Sequence, residues 1–231
     1  MEAGRLPPRE GRPPAREADL APATEDPTGG RMAGWTPADP GPLGLAAFAA
    51  TTFVLSMINA NLVGGGLKTA GVVLGLALAY GGIAQFVAGI WEFRTGNTFG
   101  ATAFCSYGAF WISFYVLLHT GAVLIPKAEL GSAVGLYLWA WGIFTTYMFF
   151  ASLRTTGAIS LVFLLLAITF ILLGIGNSAL TGTAAETNGT IKLGGYVGLA
   201  TAAAAWYASF AGVINGTWGR VVLPVFPLNR R

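Results

Sequence analysis

An all-α membrane protein with six transmembrane helices is the fold class this sequence predicts, and three observations predict it. Of its 231 residues, 54% are hydrophobic and only 10% charged, against about 25% charged in a soluble domain. Of the 23 charged side chains, 15 fall in the first 42 or the last 12 residues. Between Leu43 and Gly219 only Lys68, Glu92, Arg94, Lys127, Glu129, Arg154, Glu186 and Lys192 interrupt the chain. Each apolar run between them is long enough to cross a hydrocarbon core of about 30 Å as a helix of roughly 20 residues. None alternates in polarity as a barrel strand of about 10 residues would.

Residues 1–42 hold nine of the twelve prolines, mixed with Arg, Glu, Ala and Gly. That mixture is too polar and too hostile to helices to bury a core, so a disordered tail is expected there. No apolar signal-peptide core precedes residue 43, and the first span would itself direct insertion. The membrane domain is expected over 43–219, with spans near 45–63, 71–93, 99–125, 132–153, 156–180 and 191–217, and a short tail over 220–231. The longest connection is TGTAAETNGT at 181–190. Its Asn188-Gly-Thr190 fits a glycosylation sequon, a motif frequent by chance and given little weight.

Six spans put both termini on one side. That side holds all ten arginines, in the tails and in the turns at Arg94 and Arg154, while Lys68, Lys127 and Lys192 lie opposite. By the positive-inside rule both termini are cytoplasmic, in a multi-pass protein of the plasma (inner) membrane. The net charge of +3 is spread along the chain and gathers on no face, which argues against nucleic acid. Cys105 is the only cysteine, so there is neither an internal disulfide nor a cysteine-rich metal site. No metal site or cofactor is indicated. Glycines recur at spacing four, at Gly71/Gly75, Gly131/Gly135 and Gly194/Gly198, where small residues let helix backbones approach in lipid.

Charge inside a bilayer is costly and marks function by default, but here it is nearly absent. Glu92 and Arg94 end the second span; two residues apart, they do not face each other. Glu92 shares a face with Gln85 and Gly89. It reads either as a helix-end acid or as part of a gate or structural network with Gln85 and Asn97. Gly96 and Asn97 make the turn that follows, and Thr98 is the expected N-cap of the next helix. His119, the only histidine, reads as an interfacial anchor or a proton relay.

Uncharged polar residues form stripes when placed at 100° per residue. Phe48, Thr52, Ser56 and Asn59 share a face of the first span, and Thr102, Ser106, Ser113 and Thr120 one of the third. Leu166, Phe170, Leu173 and Asn177 align on the fifth, and Thr201, Ala205, Ala208, Gly212 and Asn215 on the sixth. A Ser or Thr hydroxyl can be satisfied by the preceding turn, so each stripe reads as packing or as the wall of a common path. A path without fixed charge suits a small solute held by hydroxyls, amides and helix ends.

Specific strings then carry a resemblance. DPGPLGL (39–45), YGGIAQFVAGIWEFRTGNTFGATAFCSYGAFW (80–111), YMFF (147–150), GIGN (174–177) and GRVVLP (219–224) resemble the acetate uptake transporter family, which includes the bacterial succinate-acetate permeases. The similarity runs over about 39–224, with Asp39 where the family usually has Asn. It implies six-helix protomers assembled as a hexamer, each with a path for acetate and related short carboxylates, either proton-coupled or channel-like. It also implies a narrow ring, matched here to Phe48, Tyr107 and, by counting back from GIGN, Leu166.

The expected function is therefore uptake of acetate or a similar small carboxylate across the plasma membrane, with a proton as the coupling partner. Thr52, Asn59, Ser106 and Asn177 would replace part of the solute's hydration, and Phe48, Tyr107 and Leu166 would select a small solute with an apolar methyl. Two rival classes are a passive channel for water, ammonium or another small species, and a scaffold or sensor that transports nothing. An enzyme is not expected, since no nucleophile and base pair or metal-ligand cluster lies in the spans. No lysine lies deep enough in a helix to hold retinal as a Schiff base.

Overall fold

The computed structural model describes residues 37–63, 69–180 and 187–228. The tail expected to be disordered, Lys68 and Glu186 lie outside those residues, save for 37–42 of the tail. Among the described residues six helices are long and apolar enough to cross a membrane: α1 Gly41–Asn59, α2 Gly71–Thr95, α3 Thr98–Leu124, α4 Leu130–Ser152, α5 Gly157–Ser178 and α6 Gly189–Trp218.

Local chemistry fixes the ends. Pro42 lies in the first turn of α1, where a missing N–H costs nothing, and Asp39 Oδ1 accepts the Gly41 N–H at 2.8 Å. Between α2 and α3, Gly96 takes the left-handed conformation at φ 78° that closes a helix C-terminus. The N-cap of α3 is Asn97, not Thr98 as expected: Asn97 Oδ1 accepts the Gly100 N–H at 3.0 Å, and Thr98 is already helical. An Asn side chain reaches the amide three residues on as well as a Thr does. Asn188, the sequon residue, is the N-cap of α6. Its Oδ1 accepts the Ile191 N–H at 2.9 Å, and its Nδ2 donates to Gly176 O at 2.7 Å, tying the start of α6 to α5.

Around the bundle the neighbours run α3, α2, α1, α6, α5, α4. Glycines set the close approaches. A Cβ on Gly194 would lie 2.8 Å from Leu173 Cδ2 between α6 and α5, and one on Gly131 2.9 Å from Asn177 O between α4 and α5. A Cβ on Gly71 or on Gly75 would meet nothing within 4 Å, so among the described residues their spacing serves no close helix approach. The ring closes between α4 and α3 through side chains: Phe110 stacks on Tyr137 with centroids 5.7 Å apart, and Tyr107 meets Phe144 edge-on at 5.4 Å.

Within α2, residues Ala79–Ala84 form a π-helical turn. A Cβ on Gly81 would sit 2.6 Å from Thr51 Oγ1 and 2.9 Å from Trp111 Cδ1, and one on Gly82 2.5 Å from Ala77 O. The adjacent glycines of YGGIA therefore let α1 and α3 close on a widened turn, a feature often found beside functional sites.

Candidate functional site

A partly open cavity of about 170 Å³ lies inside the bundle. Phe48, Thr52, Leu55, Ser56 and Asn59 line it from α1, Phe110, Trp111 and Phe114 from α3, Val134 and Leu138 from α4, and Leu166, Thr169, Phe170, Leu173 and Asn177 from α5. Phe48 to Asn59 and Leu166 to Asn177 each span eleven residues, which at 1.5 Å per residue is about 16 Å of depth. Asn59 and Asn177 end their helices, so the cavity occupies the half of the bundle near the α1–α2 and α5–α6 connections. Phe48, Phe110 and Leu166 form its floor.

Among the described lining residues none carries a charge, and the polar side chains are hydroxyls, amides and the Trp111 indole. Some are already engaged. Asn177 Nδ2 donates to Leu173 O at 2.8 Å, and Thr169 Oγ1 to Leu165 O at 2.8 Å. Thr52 Oγ1 and Trp111 Nε1, in residues that line the cavity, and Gln85 Oε1, on α2, are buried without a hydrogen-bond partner among the described residues. Such groups are rare in folded proteins and call for an explanation.

Below the floor, Tyr107 lies one turn from Phe110 on α3. Its ring meets Phe48 at 5.7 Å and Phe163 at 6.0 Å, and its hydroxyl meets Thr145 Oγ1 at 2.9 Å. The structure thus brings Phe48, Thr52, Asn59, Leu166 and Asn177 onto one cavity and sets Tyr107 beneath it. Ser106 is half-buried and off the lining. The rest of its stripe has other work: Ser113 Oγ meets Tyr137 Oη at 2.8 Å in the α3–α4 seam, and Thr120 donates to Val116 O at 2.9 Å. His119 stacks on Tyr115 at 5.3 Å. Asn215, placed on a polar face of α6, bonds residues 222 and 223 instead.

At the tail-side end, Glu92 is 3% exposed. Its Oε2 accepts from Thr95 Oγ1 at 3.1 Å, and the Asn97 side chain is a second partner. A Cβ on Gly100 would lie 2.8 Å from Glu92 Oε1, and one on Gly41 3.6 Å from it. Glu92 therefore sits where α2 ends and where α1 and α3 begin. Gln85 is 1% exposed, seven residues back on the same helix.

Sequence reasoning missed Trp111, Phe110 and Leu138, whose apolar rings and branches look like any core residue. Thr169 carried a usable signal, lying three residues from Leu166 on the same face.

The sequence model described as the GPR1/FUN34/yaaH family matches residues 26–230. The chain belongs to that family. Among its GPR1/FUN34/yaaH relatives, acetate permease A of Emericella nidulans is 44% identical over 197 residues, 81% of this chain. This chain spans 65% of that fungal relative's own length. The succinate-acetate/proton symporter SatP of Escherichia coli K12 is 42% identical over 81% of this chain and 95% of its own. The solved structure of the bacterial acetate channel SatP is similar at a TM-score of 0.73 and 38% identity, covering 82% of this chain and 99% of that one. This member is thus a six-span membrane protein whose relatives bear the names of a permease, a symporter and a channel.

Proposed function

We propose that the chain carries acetate and related short carboxylates across the plasma membrane, taken up together with a proton. In this reading residues 1–42 are a cytoplasmic tail, 43–219 the transport domain and 220–231 a second cytoplasmic tail, and protomers form a homo-hexamer. The cavity carries the reading. Its volume is close to the roughly 150 Å³ that accommodates a benzene-sized guest in an engineered cavity, so it suits a solute of a few heavy atoms. Its wall offers hydroxyls and amides, and its floor of Phe48, Phe110 and Leu166 favours a methyl group.

With no cation among the described wall residues, a bare carboxylate would lose its hydration there without a counter-charge, which is strongly unfavourable. Binding a proton removes that cost, and the acid itself is the simplest carrier. Family membership and the names of the relatives support the substrate class; the arginines in the tails and in the turns at Arg94 and Arg154 support the orientation. The test is uptake of labelled acetate, propionate, succinate and water into proteoliposomes at two pH gradients. Acetate flux that ignores both the gradient and substitution of Tyr107 overturns the proposal.

A second reading, a passive channel, is favoured by the name of the solved relative. It predicts flux that does not saturate and no proton coupling.

A further inference from the structure

The residues that follow α6 turn back and complete a different helix. Gly219, left-handed at φ 65°, ends α6, and the chain then runs antiparallel to the start of α5, with Thr156 and Pro227 forming a β-bridge. Phe226 O accepts the Gly157 N–H at 2.7 Å, Val225 O the Ala158 N–H at 3.2 Å, and Leu228 N–H reaches Thr155 O at 2.9 Å. Thr156 Oγ1 takes the Ile159 N–H at 3.2 Å. The first amides of a helix have no partner within it; in α5 the returning segment supplies two of the three acceptors.

One side chain holds that segment in place. Asn215, in the last turns of α6, accepts Val222 N–H at 2.7 Å and Leu223 N–H at 3.0 Å on Oδ1, and donates from Nδ2 to Leu223 O at 2.8 Å. Tyr207 adds a hydroxyl bond to Pro224 O at 2.7 Å. Phe226 sits at φ 56°, a left-handed conformation that a bulky residue holds only when its surroundings impose it. Its side chain lines the groove between α5 and α6 with Leu161, Leu165 and Ala204.

We infer that residues 219–228 are a strap that sets the position of α5, and that Asn215 is the positioning residue that fastens it. The helix so placed carries Leu166 and Asn177 to the cavity, so the strap acts on the solute path without touching it. The consequence for transport rests on the proposed function; the strap itself does not.

The test uses the full chain, purified and reconstituted, as the parent and as Asn215→Ala, Asn215→Asp and Tyr207→Phe. Amide exchange at Gly157 and Ala158 reads the strap, and the acetate-to-propionate uptake ratio reads the path. Loosening the segment in Asn215→Ala is expected to speed exchange at those two amides about tenfold and to shift the ratio about threefold. Asn215→Asp keeps both acceptor bonds but turns a carboxylate oxygen toward Leu223 O in place of the donor, so it and Tyr207→Phe both fall between the parent and Asn215→Ala; these two serve if Asn215→Ala does not fold. Parental exchange in Asn215→Ala overturns the strap. Faster exchange with an unchanged ratio overturns the positioning role. A parent that carries neither acid sinks the transport reading, and exchange alone then decides the strap.

Discussion

The Tyr107 hydroxyl donates to Thr145 Oγ1 across 2.9 Å beneath the cavity floor. The direction follows because Thr145 spends its own proton on Trp141 O at 2.7 Å. The two partners are therefore not equivalent. Tyr107→Phe removes one hydrogen bond and keeps the ring, at a cost of about 1 kcal/mol. Thr145→Val strands a buried phenol, at about 1–3 kcal/mol. Chemical unfolding in detergent should rank Thr145→Val as the more damaging; the reverse order would reject the assigned direction.

Thr52 gives a change that separates stability from transport. Its hydroxyl is buried without a protein partner, and Val has the same shape without the polar atom. Thr52→Val should leave the unfolding midpoint level or raise stability by about 1 kcal/mol, while acetate uptake falls. Unaltered uptake would remove Thr52 from the path.

Gly195 and Gly75 make a matched pair. A Cβ on Gly195 would run into the backbone nitrogen of Ala60, where α1 and α6 meet, whereas one on Gly75 meets nothing within 4 Å. Gly195→Ala is expected to lower stability by about 1–3 kcal/mol through overpacking. Gly75→Ala should be neutral, or stabilising by up to about 1 kcal/mol from helix propensity. Thermal unfolding of the two variants side by side checks both.

At the tail-side end, Asn97 caps α3 and touches Glu92. Asn97→Ala loses both and should cost about 2 kcal/mol, the upper part of the capping range. Asn97→Asp keeps the cap but sets a second carboxylate beside Glu92, so it should recover only part of that loss. Equal unfolding midpoints for the parent and Asn97→Ala would refute this account.

How far the sequence carried this reading depends on range. The faces Phe48, Thr52, Ser56, Asn59 and Leu166, Phe170, Leu173, Asn177 emerge from helical periodicity alone, and both line one cavity. Periodicity groups residues on a face but does not say which neighbour the face meets. The third-span stripe shows this: Ser113 faces the α3–α4 seam, and Thr120 is satisfied by its own preceding turn. Trp111 and Phe110 gave no signal because apolar rings look alike in a core and on a cavity wall. Asn215 was placed on a polar face of α6, yet its partners lie seven and eight residues on, in a reversal that no helical wheel contains. The N-cap slipped by one residue because Asn97 and Thr98 are both capping types and only the φ/ψ of the turn chooses between them.

The returning segment at 225–228 also orders events in time. Those residues are synthesised last, after both α5 and α6. Two amides at the start of α5 therefore wait for acceptors that the chain has not yet made. During that interval α5 is a helix with an open end, and a nascent chain released early would expose it. Capping of the fifth span at Gly157 and Ala158 by Phe226 and Val225 is thus among the last contacts the chain can make, since its acceptors lie near the end of the sequence.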